Sequence, residues 1–171
     1  MRAFWLGVLV GMALFPLVGL VFVLMGWSPV RATADPPGWE SVLGRTALAS
    51  AVARQAPKLQ NPIAATSENL RAGMKLFLDD CAGCHGDGVK RSRWGTTMFY
   101  PRVPQLGLNP TNKPDWQVFW IVQHGVRYTG MAGNGGLLPD NEIWKLATFL
   151  TNLNSLPPDV EQQWRAQQSG Q

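Results

Sequence analysis

Cys81-Ala82-Gly83-Cys84-His85 brings two thiols and an imidazole into one short run. Thiols separated by two residues can form thioethers with the two vinyl groups of one haem, and the His that follows then reaches the iron. The spacing therefore reads as a covalent haem c attachment site. The chain has only 2 cysteines, so no further thiol supports a disulfide framework, a four-ligand zinc site or an iron–sulfur cluster. A thioredoxin-like redox pair shares Cys-x-x-Cys but sits in a βαβ setting that this sequence lacks, and it would leave His85 without a role. A zinc half-site completed by a partner is the remaining rival.

After His85, one axial position on the iron is left. Met74, Met98, Met131 and His124 are the candidates. Met131 fits best, because it lies in the glycine-bearing run Tyr128-Thr129-Gly130-Met131-Ala132-Gly133, far enough past His85 for the chain to circle the haem edge. Met74 belongs to the helix that precedes the haem motif and cannot easily reach the opposite face. Met98 also lies in a loop. His124 would give bis-His ligation and a lower potential, whereas a thioether favours the ferrous state and closes the iron to other ligands.

The elements that position these residues follow from hydrophobic periodicity and turn chemistry. Residues 3–27 carry no charge, and at about 1.5 Å per residue such a run exceeds the roughly 30 Å core of a bilayer. Residues 1–30 thus read as a transmembrane anchor, with a kink at Pro16 that a membrane helix tolerates. Arg2 and the amino terminus favour a cytoplasmic start, against which Arg31 weighs. Haem c is attached outside the cytoplasm, which sets the direction. Ala32-Thr33-Ala34 has the form of a signal cleavage site, but signal apolar cores run only about 7–15 residues, so an uncleaved anchor is expected.

Residues 31–66 read as a linker with an amphipathic helix. Asp35-Pro36-Pro37-Gly38 is a stiff break, and Trp39, Val42, Leu43, Leu48 and Val52 then mark a helix from Trp39 to Gln55. That helix could lie on a membrane, with Arg45, Arg54 and Lys58 near head groups, or pack on another subunit or on its own haem domain. Residues 67–157 form the haem domain. Ser67 is the expected N-cap of a helix to Asp80, in which Gly73, Phe77 and Cys81 share a face and the glycine permits a close crossing. Lys90 to Pro114 should be loop wrapped over the haem. A short helix, Asp115 to His124, is expected with Asp115 as its cap and Gly125 as its stop. After the loop Gly130 to Leu138 comes a last helix, Asn141 to Leu153, with Ile143, Leu146, Ala147 and Leu150 on one face. Residues 158–171 read as a polar tail, either unstructured or packed through Trp164. The fold class is all-α.

On these residues the stretch from Ser67 to Pro157 resembles a class I cytochrome c, and in particular the short single-haem domains that serve as membrane-anchored subunits of bacterial respiratory complexes. In that family a glycine and an aromatic precede the first haem cysteine as Gly73 and Phe77 precede Cys81. Their implied partners on the last helix are Leu146, Phe149 and Leu150. The segment Trp120 to Met131 is similar to the methionine-ligand segment of the family. Many members have proline after the methionine; Ala132 stands here, which implies a looser loop and an altered potential. The family also uses a proline carbonyl to accept the proximal His Nδ1 proton, fixing the ring and tuning its basicity. Pro101 and Pro104 both suit that role, and Pro104 is preferred.

The resemblance implies an all-α class I cytochrome c fold with one N-terminal transmembrane helix, and one covalent haem c held by Cys81, Cys84, His85 and Met131. It implies an electron carrier in the bacterial inner membrane, with its haem domain in the periplasm, exchanging single electrons with respiratory redox partners. No catalytic residue and no small-molecule substrate are expected. Most of the excess basic charge behind the net +4 lies in Arg2 and the stretch from Arg31 to Lys58, too little and too scattered for nucleic acid. Trp94, Phe99, Trp116, Trp120 and Trp144 would shield the haem or simply fill the core. Lys90, Arg91 and Arg93 would ring the haem edge and steer an acidic partner, or form a solvated loop. The domain either swings between complexes or is a fixed subunit of one; 8 tryptophans and the extra helix favour the fixed subunit. The rival from another class is a haem enzyme or gas sensor, which requires that Met131 not bind iron.

Overall fold

The computed structural model describes residues 1–169. The uncharged run forms helix α1, Arg2–Leu24, with Pro16 inside it, in a compact unit of its own that ends at Arg31. None of its residues is buried in protein, and its length and composition fit a single membrane span.

The second unit starts at Ala32 and contains everything that follows. No strand occurs among the described residues. Its core is the crossing of α3, Ser67–Leu76, with α7, Asp140–Thr151, and α6, Asp115–His124, packs on another side of α7. Gly73 makes the crossing possible. A Cβ at that position would overlap the Lys145 carbonyl oxygen and come within 2.8 Å of Phe149 Cβ, so only a bare α-carbon lets the two backbones approach. Leu70, Met74, Phe77, Ile143, Leu146 and Phe149 are fully buried around it, each contributing about 1.5–3 kcal/mol by leaving water. On the far side Phe119 stacks on Trp144, with centroids 4.0 Å apart and planes 11° from parallel.

The ends of these helices differ from expectation for local reasons. Thr66, not Ser67, caps α3: its hydroxyl accepts from Asn69 N at 3.3 Å, while Ser67 is helical and donates to Asp159 at 3.2 Å. Past Leu76 the helix does not run on regularly to Asp80 but widens into a π turn, Phe77–Cys81, followed by α4, Ala82–His85. The wider turn changes where Cys81 leaves the helix relative to Gly73 and Phe77. Asp115 opens α6 as its first residue, with Pro114 at the cap position, and Gly125 ends it at φ +69°. The stretch expected to be all loop holds a helical turn, α5, Arg93–Thr97, capped by Ser92. A single turn is too short to show an apolar period.

The stretch read as a polar tail is helix α8, Pro158–Ser169, with residues 170–171 outside the described part. Trp164 is buried against Phe77 and Phe149, at centroid distances of 6.1 and 5.4 Å, and Arg71 pairs with Asp159 at 2.5 Å. The extension packs as well. Helix α2, Gly38–Gln55, buries Val52 and is followed by a buried Ala56, and Asn61 donates to the buried Thr148 hydroxyl at 2.9 Å.

Gly73→Ala is expected to lower stability by at least about 3 kcal/mol, the upper range for overpacking, in guanidinium unfolding followed by circular dichroism. Gly44→Ala, in α2 with open space around its Cβ position, is expected instead to raise it by about 0.5–1 kcal/mol.

Candidate haem site

The π turn and α4 deliver the three motif residues in succession. Cys81 and Cys84 are half-buried free thiols, and Gly86 stops the chain at φ +75°, where a Cβ would come within 2.9 Å of both Gln105 Oε1 and the Lys90 carbonyl. His85 donates from Nδ1 to the Pro104 carbonyl at 2.8 Å. Its Nε2 is left with the free lone pair. Burial lowers the His85 pKa, with the Pro104 carbonyl opposing, so the ring is a neutral imidazole, as an iron ligand must be. Burial, helped by Asp80 and Cys84, pushes the Cys81 thiol up to about 11. That is the opposite of the depressed thiol a Cys-x-x-Cys redox couple needs.

A second set of bonds fixes the backbone of the motif, and sequence reasoning missed its centre. Gln105 is only 6% exposed. Its amide donates to the carbonyls of Cys84 (3.1 Å) and Val103 (2.9 Å), and its Oε1 accepts from Ser92 N at 2.7 Å. Ser92 in turn donates to the Gly83 carbonyl at 2.5 Å and accepts from Gly95 N at 2.9 Å. Gly95 lies so close that a Cβ would overlap the Cys84 carbonyl oxygen. Nothing in the sequence sets Gln105 apart from other glutamines except its place after Pro104.

The four candidates for the second axial position lie in different surroundings. Met74 is fully buried at the α3–α7 crossing, so its thioether belongs to the core. Met131 is partly buried and packs on the core cluster. Its loop is closed by Val126 N donating to Met131 O at 3.0 Å, and Met131 N donates to the Thr129 hydroxyl at 3.1 Å. Gly130 rests on the Phe99 ring so tightly that a Cβ would overlap it, which brings this loop against the segment that leads to Pro104. Met98 is exposed at the end of α5. His124 stacks on Trp120 at 4.8 Å and donates from Nδ1 to the Trp120 carbonyl at 3.0 Å, beside Pro57 and Leu59 of the extension.

Of the aromatics, Trp144 is a core residue, Trp116 and Trp120 are half-buried, and the exposed Trp94 lies 5.5 Å from Phe99. Lys90, Arg91 and Arg93 are all exposed beside the motif. The described residues hold no cluster of three His, Cys, Asp or Glu side chains able to take a bare metal ion. Two free thiols three residues apart and an imidazole with Nε2 unengaged instead suit covalent attachment of a haem c.

A family model described as cytochrome c oxidase, cbb3-type, subunit III matches residues 68–150. No curated protein and no solved structure matches the chain.

Gln105→Leu strands the Cys84 carbonyl and Ser92 N inside protein, at about 1–3 kcal/mol for each unsatisfied group. A fall in the unfolding midpoint of the haem-loaded protein worth roughly 2–4 kcal/mol is expected, with Gln105→Glu, which keeps the acceptor for Ser92, losing less.

Proposed function

We propose, from the premise that residues 68–150 form a class I cytochrome c domain with one covalent haem c, that this chain is a membrane-tethered electron carrier ligated by His85 and Met131, acting as a fixed subunit of a larger respiratory complex. The observation that carries this reading is the 2.8 Å bond from His85 Nδ1 to the Pro104 carbonyl, next to the two thiols. It holds a proximal ligand in one tautomer and one orientation.

When bound, the haem supplies reversible one-electron exchange at its iron. The chain's residues hold and tune it. Cys81 and Cys84 would anchor it through their sulfurs, and His85 Nε2 and the Met131 thioether would hold its iron. The Pro104 carbonyl keeps the Nδ1 proton in place and makes Nε2 more basic. Phe99, half-buried and in contact with both Trp94 and Gly130, would lay apolar surface beside the haem.

Membership of a complex is supported by the likeness to an oxidase subunit. The fixed arrangement is supported by how the extension is fastened. Arg102 donates to the carbonyls of Ala32 (2.9 Å), Thr33 (3.2 Å) and Ala34 (3.4 Å) and to Asp35 Oδ1 (3.0 Å), and the Tyr100 hydroxyl donates to Glu40 at 2.6 Å. A shuttle needs slack between anchor and haem, and these bonds remove most of it. A periplasmic haem domain follows from where haem c is attached.

The test is a set of optical spectra on detergent-extracted protein. The oxidised protein is expected to show the weak far-red sulfur-to-iron band, to lose it in Met131→His with a large fall in potential, and to keep it in Met98→Leu. Rapid carbon monoxide binding by the unmodified ferrous protein would instead favour an open iron site. Native mass spectrometry of the extract is expected to find stoichiometric partner subunits, and a lone chain would return the reading to a shuttle.

A further inference from the structure

Helix α2 has two apolar sides and the haem domain uses only one. Val52 and the following Ala56 are buried, and Glu40 accepts the Tyr100 hydroxyl. On the opposite side Trp39 is 68% exposed, Val42 59% and Leu43 63%. The same face continues through Thr46, Ser50 and Ala53, all exposed and none charged. At about 100° per residue, Arg45 and Arg54 fall on the two borders of this face. An uncharged face whose first turn carries tryptophan, valine and leucine and whose edges carry arginines has the pattern of a helix lying in a lipid interface, where the guanidinium groups reach up to phosphates while their stems stay on apolar surface.

Position along the chain supports the same occupant. Residues 25–31 alone separate the apolar helix α1 from Ala32, whose carbonyl is held by Arg102. A bilayer that receives α1 is therefore within reach of α2. Another protein helix could also cover an apolar strip, but it would have no use for arginines on both borders unless it carried matching acids.

We infer that α2 docks on the bilayer surface through Trp39, Val42 and Leu43, with Arg45 and Arg54 on anionic lipid head groups. The inference rests on α1 being a membrane anchor, and the two can fail separately, since a chain whose α1 does not insert will not enter nanodiscs at all. The full-length haem-loaded protein is placed in nanodiscs with and without phosphatidylglycerol. Because both native cysteines are occupied by haem, Val42→Cys or Leu43→Cys can be labelled alone with a polarity-sensitive fluorophore, and Gln162→Cys on α8 serves as the aqueous control.

With phosphatidylglycerol present, the probe at 42 or 43 is expected to be blue-shifted, shielded from iodide and quenched by brominated lipid tails, while the probe at 162 stays aqueous. Arg45→Gln and Arg54→Gln are each expected to reduce the shielded population about fivefold in the anionic discs. Iodide quenching at 42 and 43 equal to that at 162 overturns the proposal. Shielding without quenching by brominated lipid also overturns it, since a second copy or another protein would then be the cover. Shielding that ignores both phosphatidylglycerol and the arginine substitutions overturns the head-group contact.

Discussion

The close approach of α3 and α7 at Gly73 is the constraint on which the rest of the haem domain depends. One bare α-carbon against the Lys145 carbonyl sets the distance between the two helices, and the haem motif and the α6 end are positioned from them. Along α3, one turn past the crossing, Phe77 meets Phe149, and at that same residue the helix widens and leads into Cys81, Cys84 and His85. Across α7, Trp144 stacks on Phe119 of α6, and the end of α6 at Gly125 begins the loop with Met131. A shift of one helix against the other would disturb both the haem-motif turn and the loop that follows α6. Packed interiors do not absorb such shifts smoothly, because their side chains already sit at close-packed density.

Pro104 and Gln105 add a second level of control on a much smaller scale. The Pro104 carbonyl addresses a side chain of the motif, the His85 ring, while the Gln105 side chain addresses the motif's backbone at Cys84. Two neighbouring residues thus fix the His85 ring and the backbone just before it at once. The Gln105 side chain is buried, and there a hydrogen bond is stronger than on the surface and an unmade one correspondingly costly. Ser92 extends the same grip to Gly83, so consecutive carbonyls of the haem motif are held from one side by a loop that has little regular structure of its own.

What could be seen in the sequence was whatever depends on residue type at short range. Cys81, Cys84 and His85 announce their cofactor by spacing alone, the α6 span follows from its apolar run and Gly125, and the Gly73–Phe77 pair foretells a crossed helix. What could not be seen depends on partners distant in the chain. Thr66 and Ser67 are equally good caps by type, and Ser67 is drawn away by Asp159 of α8. That helix is itself too polar to betray its burial, which comes down to Val160 and Trp164. The π turn leaves no mark in composition. Gln105 looks like any surface glutamine, and only the fold reveals that three of its bonds face inward.

The extension shows how a charged residue can act through geometry more than through charge. The partner carboxylate of Arg102, on Asp35, is 94% exposed, and an ion pair so open to water contributes little. The guanidinium also reaches the carbonyls of Thr97 and Phe99, at 2.9 and 3.0 Å, besides those of residues 32–34. Its planar fork of donors is suited to gathering several carbonyls that no ammonium could satisfy together. The loop leading to Pro104 and the chain leaving the anchor unit are therefore joined by bonds that salt screens only weakly, which distinguishes this fastening from a surface ion pair. Holding residues 32–35 in place removes conformational freedom that a free tether would keep, and the several carbonyl bonds of one guanidinium are what offset that loss.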